Sequence, residues 1–148
     1  MQRSLLLDVY AAFHKSGQIV DRACEGTGIE PEDFAFVSIV GSREPVTPTE
    51  VSREFGLSLS TVLFRANRNV DLGFVERAGN PQDGRSFLLR VTPAGRERWR
   101  RAATNLSSAV EQIEARLDRP ALEVQQALVD LQVAFDAVLA EGRDPARR

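Results

Sequence analysis

Two groups of polar residues stand out by type and spacing. Ser58, Ser60, Thr61, Phe64, Arg65 and Arg68 lie close together in a stretch with helical periodicity. Downstream come Arg77 and then a loop, Asn80-Pro81-Gln82-Asp83-Gly84, followed by Arg85. The chemistry available to both groups is hydrogen bonding to anions and flat polar edges. An arginine fork can grip guanine O6 and N7 through two parallel hydrogen bonds, and hydroxyls can contact any base or phosphate. For Arg65 and Arg68 the competing reading is two solvated helix arginines. For Asp83 and Arg85 it is a loop ion pair worth under about 1 kcal/mol. Phe64 either touches a thymine methyl or a sugar, or packs against its own domain, and the pattern favours packing.

The elements around these residues must hold them in place. Thr47-Pro48-Thr49-Glu50 reads as a helix start, with Thr47 as the N-cap, Pro48 in the first turn and Glu50 completing a capping box. Val46 and Val51 flank it as a hydrophobic staple. That short helix stops near Gly56, and Ser58 can cap a second one, about 58–72. Leu59, Val62, Leu63, Ala66 and Val70 give the second helix one apolar face, leaving Ser60, Thr61, Phe64, Arg65 and Arg68 opposite. Two strands are expected, 74–79 and 86–91, joined by the protruding polar loop. Upstream, residues of about 3–25 form a helix with Leu6, Val9, Phe13, Val20 and Cys24 along one stripe. A buried helix follows from Pro31, with Glu32 and Asp33 near its positive end. Downstream, a long helix runs from Thr92-Pro93 to about Leu117. A last one, about 120–140, carries Ala121, Val124, Leu128, Leu131, Phe135 and Val138 in alternating steps of three and four, a seam that asks for a partner helix. The fold expected is mainly α with a small β wing.

The 148 residues suit one domain, and their net charge of -2 hides a pattern. Residues 1–50 hold four basic and eight acidic side chains, and residues 103–148 hold five and eight. Between them, residues 51–102 carry ten arginines against five acids. A cationic middle between anionic ends suggests that one lobe meets phosphate. One cysteine and one histidine give no metal cluster and no internal disulfide. Cys24, on an apolar stripe, reads as a buried and inert thiol. No catalytic triad order or phosphate-cradling glycine loop is present, so neither an enzyme nor a cofactor is expected. No apolar run reaches the length of a membrane span and no secretion signal is visible, so a cytoplasmic protein is expected, with residues 142–148 a frayed tail.

Taken together, Val46 to Val62, then Gly73-Phe74-Val75-Glu76-Arg77, Asn80-Pro81-Gln82-Asp83-Gly84-Arg85 and Val91-Thr92-Pro93-Ala94-Gly95, resemble the MarR (multiple antibiotic resistance regulator) family of winged helix-turn-helix transcription regulators. The motifs cover about residues 46–96, and the flanking helices agree in length and order. The chain departs from the family pattern at Asn80, where Asp is usual, at Gly84, where a second arginine is frequent, and at Arg65 and Asn69, where apolar residues are common.

The resemblance implies a single domain, with a winged lobe at 30–102 and dimerisation helices at 1–28 and 104–141. It implies a homodimer on a pseudo-palindromic double-stranded DNA operator, in most members as a repressor. Ser58, Ser60, Thr61, Phe64, Arg65 and Arg68 would face the major groove and Arg85 the minor groove. Asp83 would orient Arg85 or the loop, and Arg77 would contact backbone or hold the wing. Many members release DNA when a small aromatic effector binds. Tyr10, Phe13, His14 and Phe36, with Phe34 and Trp99, are candidates to line such a pocket, although each also reads as plain core or surface. The alternative reading is a winged-helix dimer acting as a protein-interaction or ligand-binding module with weak or no DNA binding.

Overall fold

A computed structural model of the chain describes residues 4–141. The order is α1 (Leu5–Cys24), α2 (Pro31–Arg43), α3 (Pro48–Phe55), α4 (Leu59–Asp71), β1 (Val75–Gly79), β2 (Phe87–Val91), α5 (Pro93–Glu114) and α6 (Ala121–Glu141). This is the mainly α architecture with a β wing that the residue pattern predicts. The 142–148 tail lies outside the described residues. The chain divides into two units, one through Ser108 and one from Ala109.

The start of α3 follows the sequence closely. The Thr47 side chain accepts from the Glu50 N–H at 3.2 Å, and the Glu50 carboxylate accepts from the Thr47 N–H at 2.7 Å. Val46 and Val51 are both buried beneath this cap. The helix stops because Gly56 turns left-handed at φ 63°, a conformation that costs a residue without Cβ nothing. Two residues later Ser58 caps α4, its Oγ accepting the Thr61 N–H at 3.1 Å. Two helices joined by so short a turn bury Val51, Val62 and Ala66 in the core with Val37 and Val40 of α2.

β1 and β2 pair antiparallel, with Val75 opposite Val91 and Gly79 opposite Phe87. An isolated bridge from Val46 to Leu89 ties the α2–α3 connection to the wing. Leu89 is fully buried, so the base of the wing belongs to the core.

Thr92 begins α5, its Oγ1 accepting the Gly95 N–H at 3.0 Å and donating to the Gly73 carbonyl at 2.6 Å. The Phe74 carbonyl lies so close to Gly95 that a Cβ there would collide with it. Thr and Gly in the 91–95 motif are thus two halves of one joint between wing and α5.

Several element ends also differ from expectation. β1 and β2 each start one residue later than the sequence suggests. α5 ends at Glu114 because the chain then tightens, with Arg116 N bonding Ile113 O and Leu117 N bonding Glu114 O three residues back. In the second unit α6 buries no residue fully. Along its seam Ala121, Val124, Leu131 and Phe135 are half-buried, while Leu128 and Val138 are exposed.

Candidate nucleic-acid interface

The buried face of α4 is not quite the one the apolar stripe predicts. Val62, Ala66 and Asn69 are fully buried, Leu63 and Val70 half-buried, and Leu59 exposed at 45 %. At 100° per residue the open face centres on Phe64, with Ser60, Thr61, Asn67, Arg68 and Asp71 around it. Phe64 is exposed at 66 %, so packing within its own domain, the favoured expectation, is not what it does. The helix end of this face holds a cluster of hydroxyls, Ser58 Oγ lying 2.9 Å from Ser60 Oγ and 2.7 Å from Thr61 Oγ1.

Arg65 and Arg68 are neither free nor simply solvated. Arg65 pairs with Glu32 of α2, which holds the Glu32 carboxyl below its ordinary range. The same bond holds the Arg65 guanidinium above its own. Arg68 makes a two-point contact with Asp33, Nε to Oδ1 at 2.9 Å and Nη2 to Oδ2 at 2.9 Å. Hydrogen bonding to Asp33, then its charge, raises the Arg68 pKa. Asn69 donates to Asp33 Oδ1 at 3.1 Å and to the Arg65 carbonyl at 3.0 Å. Its own Oδ1 is buried without a hydrogen-bond partner among the described residues.

Asp33 is therefore the residue the sequence reading missed. Its place in the first turn of α2 suggests a helix-dipole partner, yet it is 1 % exposed and, among the described residues, its carboxylate is hydrogen-bonded by Arg68 and Asn69 of α4. The available signal was Asn69, a polar residue on an otherwise apolar helix face, which needs a buried partner elsewhere.

On the wing, Asp83 shapes the backbone. Its Oδ1 accepts the Arg85 N–H at 2.9 Å, and its carbonyl accepts the Ser86 N–H at 3.0 Å. The Asn80 side chain closes a similar turn by accepting the Gln82 N–H at 3.0 Å, so Asn serves here as Asp would. The Arg85 guanidinium has no hydrogen bond or ion pair among the described residues. Arg77 lies with its guanidinium carbon 4.6 Å from the Phe87 ring centroid and donates to the Asn67 side chain, joining wing to α4.

The charge count overstates the free cation density. Arg65, Arg68, Arg96, Arg100 and Arg101 are all ion-paired. Three of their partners, Glu32, Asp33 and Glu44, come from the anionic first segment, so the two segments partly neutralise each other.

The aromatic candidates for a pocket are scattered. Tyr10, Phe13 and His14 form an edge-to-face group on the exposed side of α1, while Phe34 and Phe36 are buried. Of the aromatic candidates Trp99 lines a cavity of about 270 Å³, together with Val37, Ser38, Gly41, Ser42, Val91 and Arg96. Trp99 stacks on Phe34 and donates to Ser38 Oγ at 2.7 Å. Cys24 is buried, and burial, then the charges of Asp21 and Glu30, push its thiol pKa up, away from reactivity. No helix among the described residues is long and apolar enough to cross a membrane.

No family model matches this sequence, and no curated protein does. Solved structures do match. Apo MarR from E. coli superposes with a TM-score of 0.70 at 19% identity, over 90% of this chain and 98% of that one. The M. tuberculosis transcriptional regulator MosR, crystallised with DNA, gives 0.77 at 18% identity, over 92% and 98%. Streptococcus pneumoniae FabT, also with DNA, gives 0.70 at 24% identity, over 88% and 94%. The chain has the fold of these regulators over nearly their whole length.

Proposed function

We propose that this chain is a homodimeric, sequence-specific DNA-binding regulator of transcription, acting in the cytoplasm as a repressor on a pseudo-palindromic operator. The observation that carries the reading is the open, Phe64-centred face of α4 beside a wing whose Arg85 guanidinium has no partner among the described residues. Structures of the same fold have been crystallised on DNA, E. coli MarR with its operator among them.

In this reading residues 30–102 form the DNA-binding lobe. Ser58, Ser60, Thr61, Phe64 and Arg68 face the major groove, and Arg85 enters the minor groove, where narrow A·T-rich DNA concentrates negative potential. Asp83 and Arg77 shape and hold the wing, and Arg65 fixes α4 to α2. The helices at 1–28 and 104–141 form the dimer. Leu5, Leu6, Leu7, Tyr10 and Phe13 on α1, and Leu122, Val129, Val133 and Leu139 on α6, are large apolar side chains left exposed in one chain, as expected of surfaces that a second copy covers. Twofold symmetry would set two α4 helices about one DNA turn apart. A small aromatic effector would fit the Trp99 cavity and would act by favouring one spacing of the two lobes.

Selection of bound duplexes from a random pool at moderate salt tests this. Enrichment of a symmetric site with half-sites about one turn apart is expected. A second reading, a protein-interaction module, is favoured by the exposed Phe64 ring; it predicts no enriched duplex and a protein partner lost on Phe64→Ala.

A further inference from the structure

The geometry points to Asp33 as the positioning residue that fixes Arg68 to read one guanine in each half-site, an assignment that rests on the DNA-binding reading above. Asp33 sits on α2, 1 % exposed, and among the described residues the hydrogen-bond donors to its side chain all come from α4. A guanidinium has two usable forks. Asp33 occupies the side fork, Nε and Nη2. The end fork retains Nη1, which has no partner among the described residues, and the Arg68 side chain as a whole is 44 % exposed. Arg68 lies one turn from Phe64 on the same open face, so this free end is presented where α4 would meet base edges.

Charge then separates guanine from phosphate as the target. A cation matched by a buried carboxylate releases few counterions, so it contributes little to backbone attraction. What survives neutralisation is direction, two parallel N–H groups held at one angle by a rigid neighbour. That suits the O6 and N7 acceptors of guanine, an uncharged edge that rewards geometry. Arg85 is the opposite case, a cation on a loop with no partner among the described residues, suited to the electrostatic role. Asn69 completes the device by donating to the same Asp33 oxygen as Arg68 Nε, which fixes the orientation of the buried carboxylate.

The test uses the duplex recovered by selection, with each guanine replaced in turn by 7-deazaguanine, which keeps base pairing and removes N7. The wild-type protein is expected to lose about tenfold in affinity at one symmetric guanine position. Asp33→Asn and Arg68→Lys are expected to bind the two duplexes equally, with melting curves confirming that each variant is folded. Should Asp33→Asn not fold, Arg68→Lys carries the test, because it keeps the charge opposite Asp33 and loses only the fork. Arg68→Ala is expected to leave the slope of log affinity against log salt unchanged. A slope reduced by about 0.9 for each lost contact would make Arg68 a phosphate contact and overturn the assignment. So would an Asp33→Asn protein that is weaker on every duplex yet still prefers guanine, since Asp33 would then be a brace alone. A pool that enriches no duplex overturns the DNA reading itself, and this assignment with it.

Discussion

Arg77 on β1 donates a hydrogen bond to the Asn67 side chain on α4, and the same guanidinium lies over the Phe87 ring of β2. One exposed side chain thus joins both wing strands to the helix that presents Phe64. Arg77→Ala is expected to cost at most about 1 kcal/mol of stability, because its contacts are exposed. It is also expected to weaken DNA binding, because wing and helix would no longer be held at one spacing. Denaturant titration beside anisotropy titration separates the two effects. Equal affinity in the variant would show that the joint is dispensable.

Arg85→Ala removes a guanidinium that has no other partner among the described residues. Stability should stay within about 0.5 kcal/mol of wild type. Affinity should fall on every duplex tested, and the salt slope should drop by about 0.9 per wing for each phosphate charge no longer neutralised. An unchanged affinity would remove the wing from the interface.

Phe64→Ala should leave stability within about 0.5 kcal/mol, since the ring is 66 % exposed. If the ring contacts a thymine methyl, replacing single thymines by uracil should weaken the wild type at one symmetric position and leave the variant unaffected. A variant with unchanged affinity and sequence preference would place the ring outside the interface.

The capping box of α3 predicts a pH dependence. Donation from the Thr47 N–H, then from its hydroxyl, holds the Glu50 carboxyl below its ordinary range. The folded-state pKa is thus lower than the unfolded value of about 4.3, so this stabilisation is present above that pH and fades as the pH falls towards the folded value. The stability gap between wild type and Glu50→Gln should accordingly narrow between neutral pH and about pH 3.5. Thr47→Ala should cost about 1 kcal/mol at neutral pH. A gap that widened in acid would contradict the sign.

Gly95→Ala tests the joint between wing and α5. The added Cβ would meet the Phe74 carbonyl, which is backbone and cannot swing aside. A loss of about 1–3 kcal/mol or more is expected by denaturant unfolding. A neutral substitution would mean that the start of α5 shifts freely against β1.

Local signals made much of this molecule legible in advance. The capping box at Thr47, the Ser58 cap and the turn residues of the wing all act within a few residues of themselves, and each appears where its sequence places it. Pairings over long separations were not legible. Asp33 and Arg68 are 35 residues apart, and Arg65 and Glu32 are 33 apart. Nothing in the periodicity of either helix specifies the other. The apolar stripe also counted Leu59 as buried, although it begins its helix and stays exposed. It passed over Asn69, whose burial depends on a carboxylate from a different helix. Charge counting failed for a related reason, since arginines in one segment find acids in another.

The central claim is that two copies of this chain read two half-sites on one face of a duplex. Anisotropy titration of the selected duplex, against the same duplex with about five base pairs inserted between its half-sites, tests it most directly, because that insertion turns one half-site to the far side of the DNA. Binding to the lengthened duplex is expected to fall to the level of an unrelated sequence. Undiminished affinity for it would contradict a symmetric dimer on its operator.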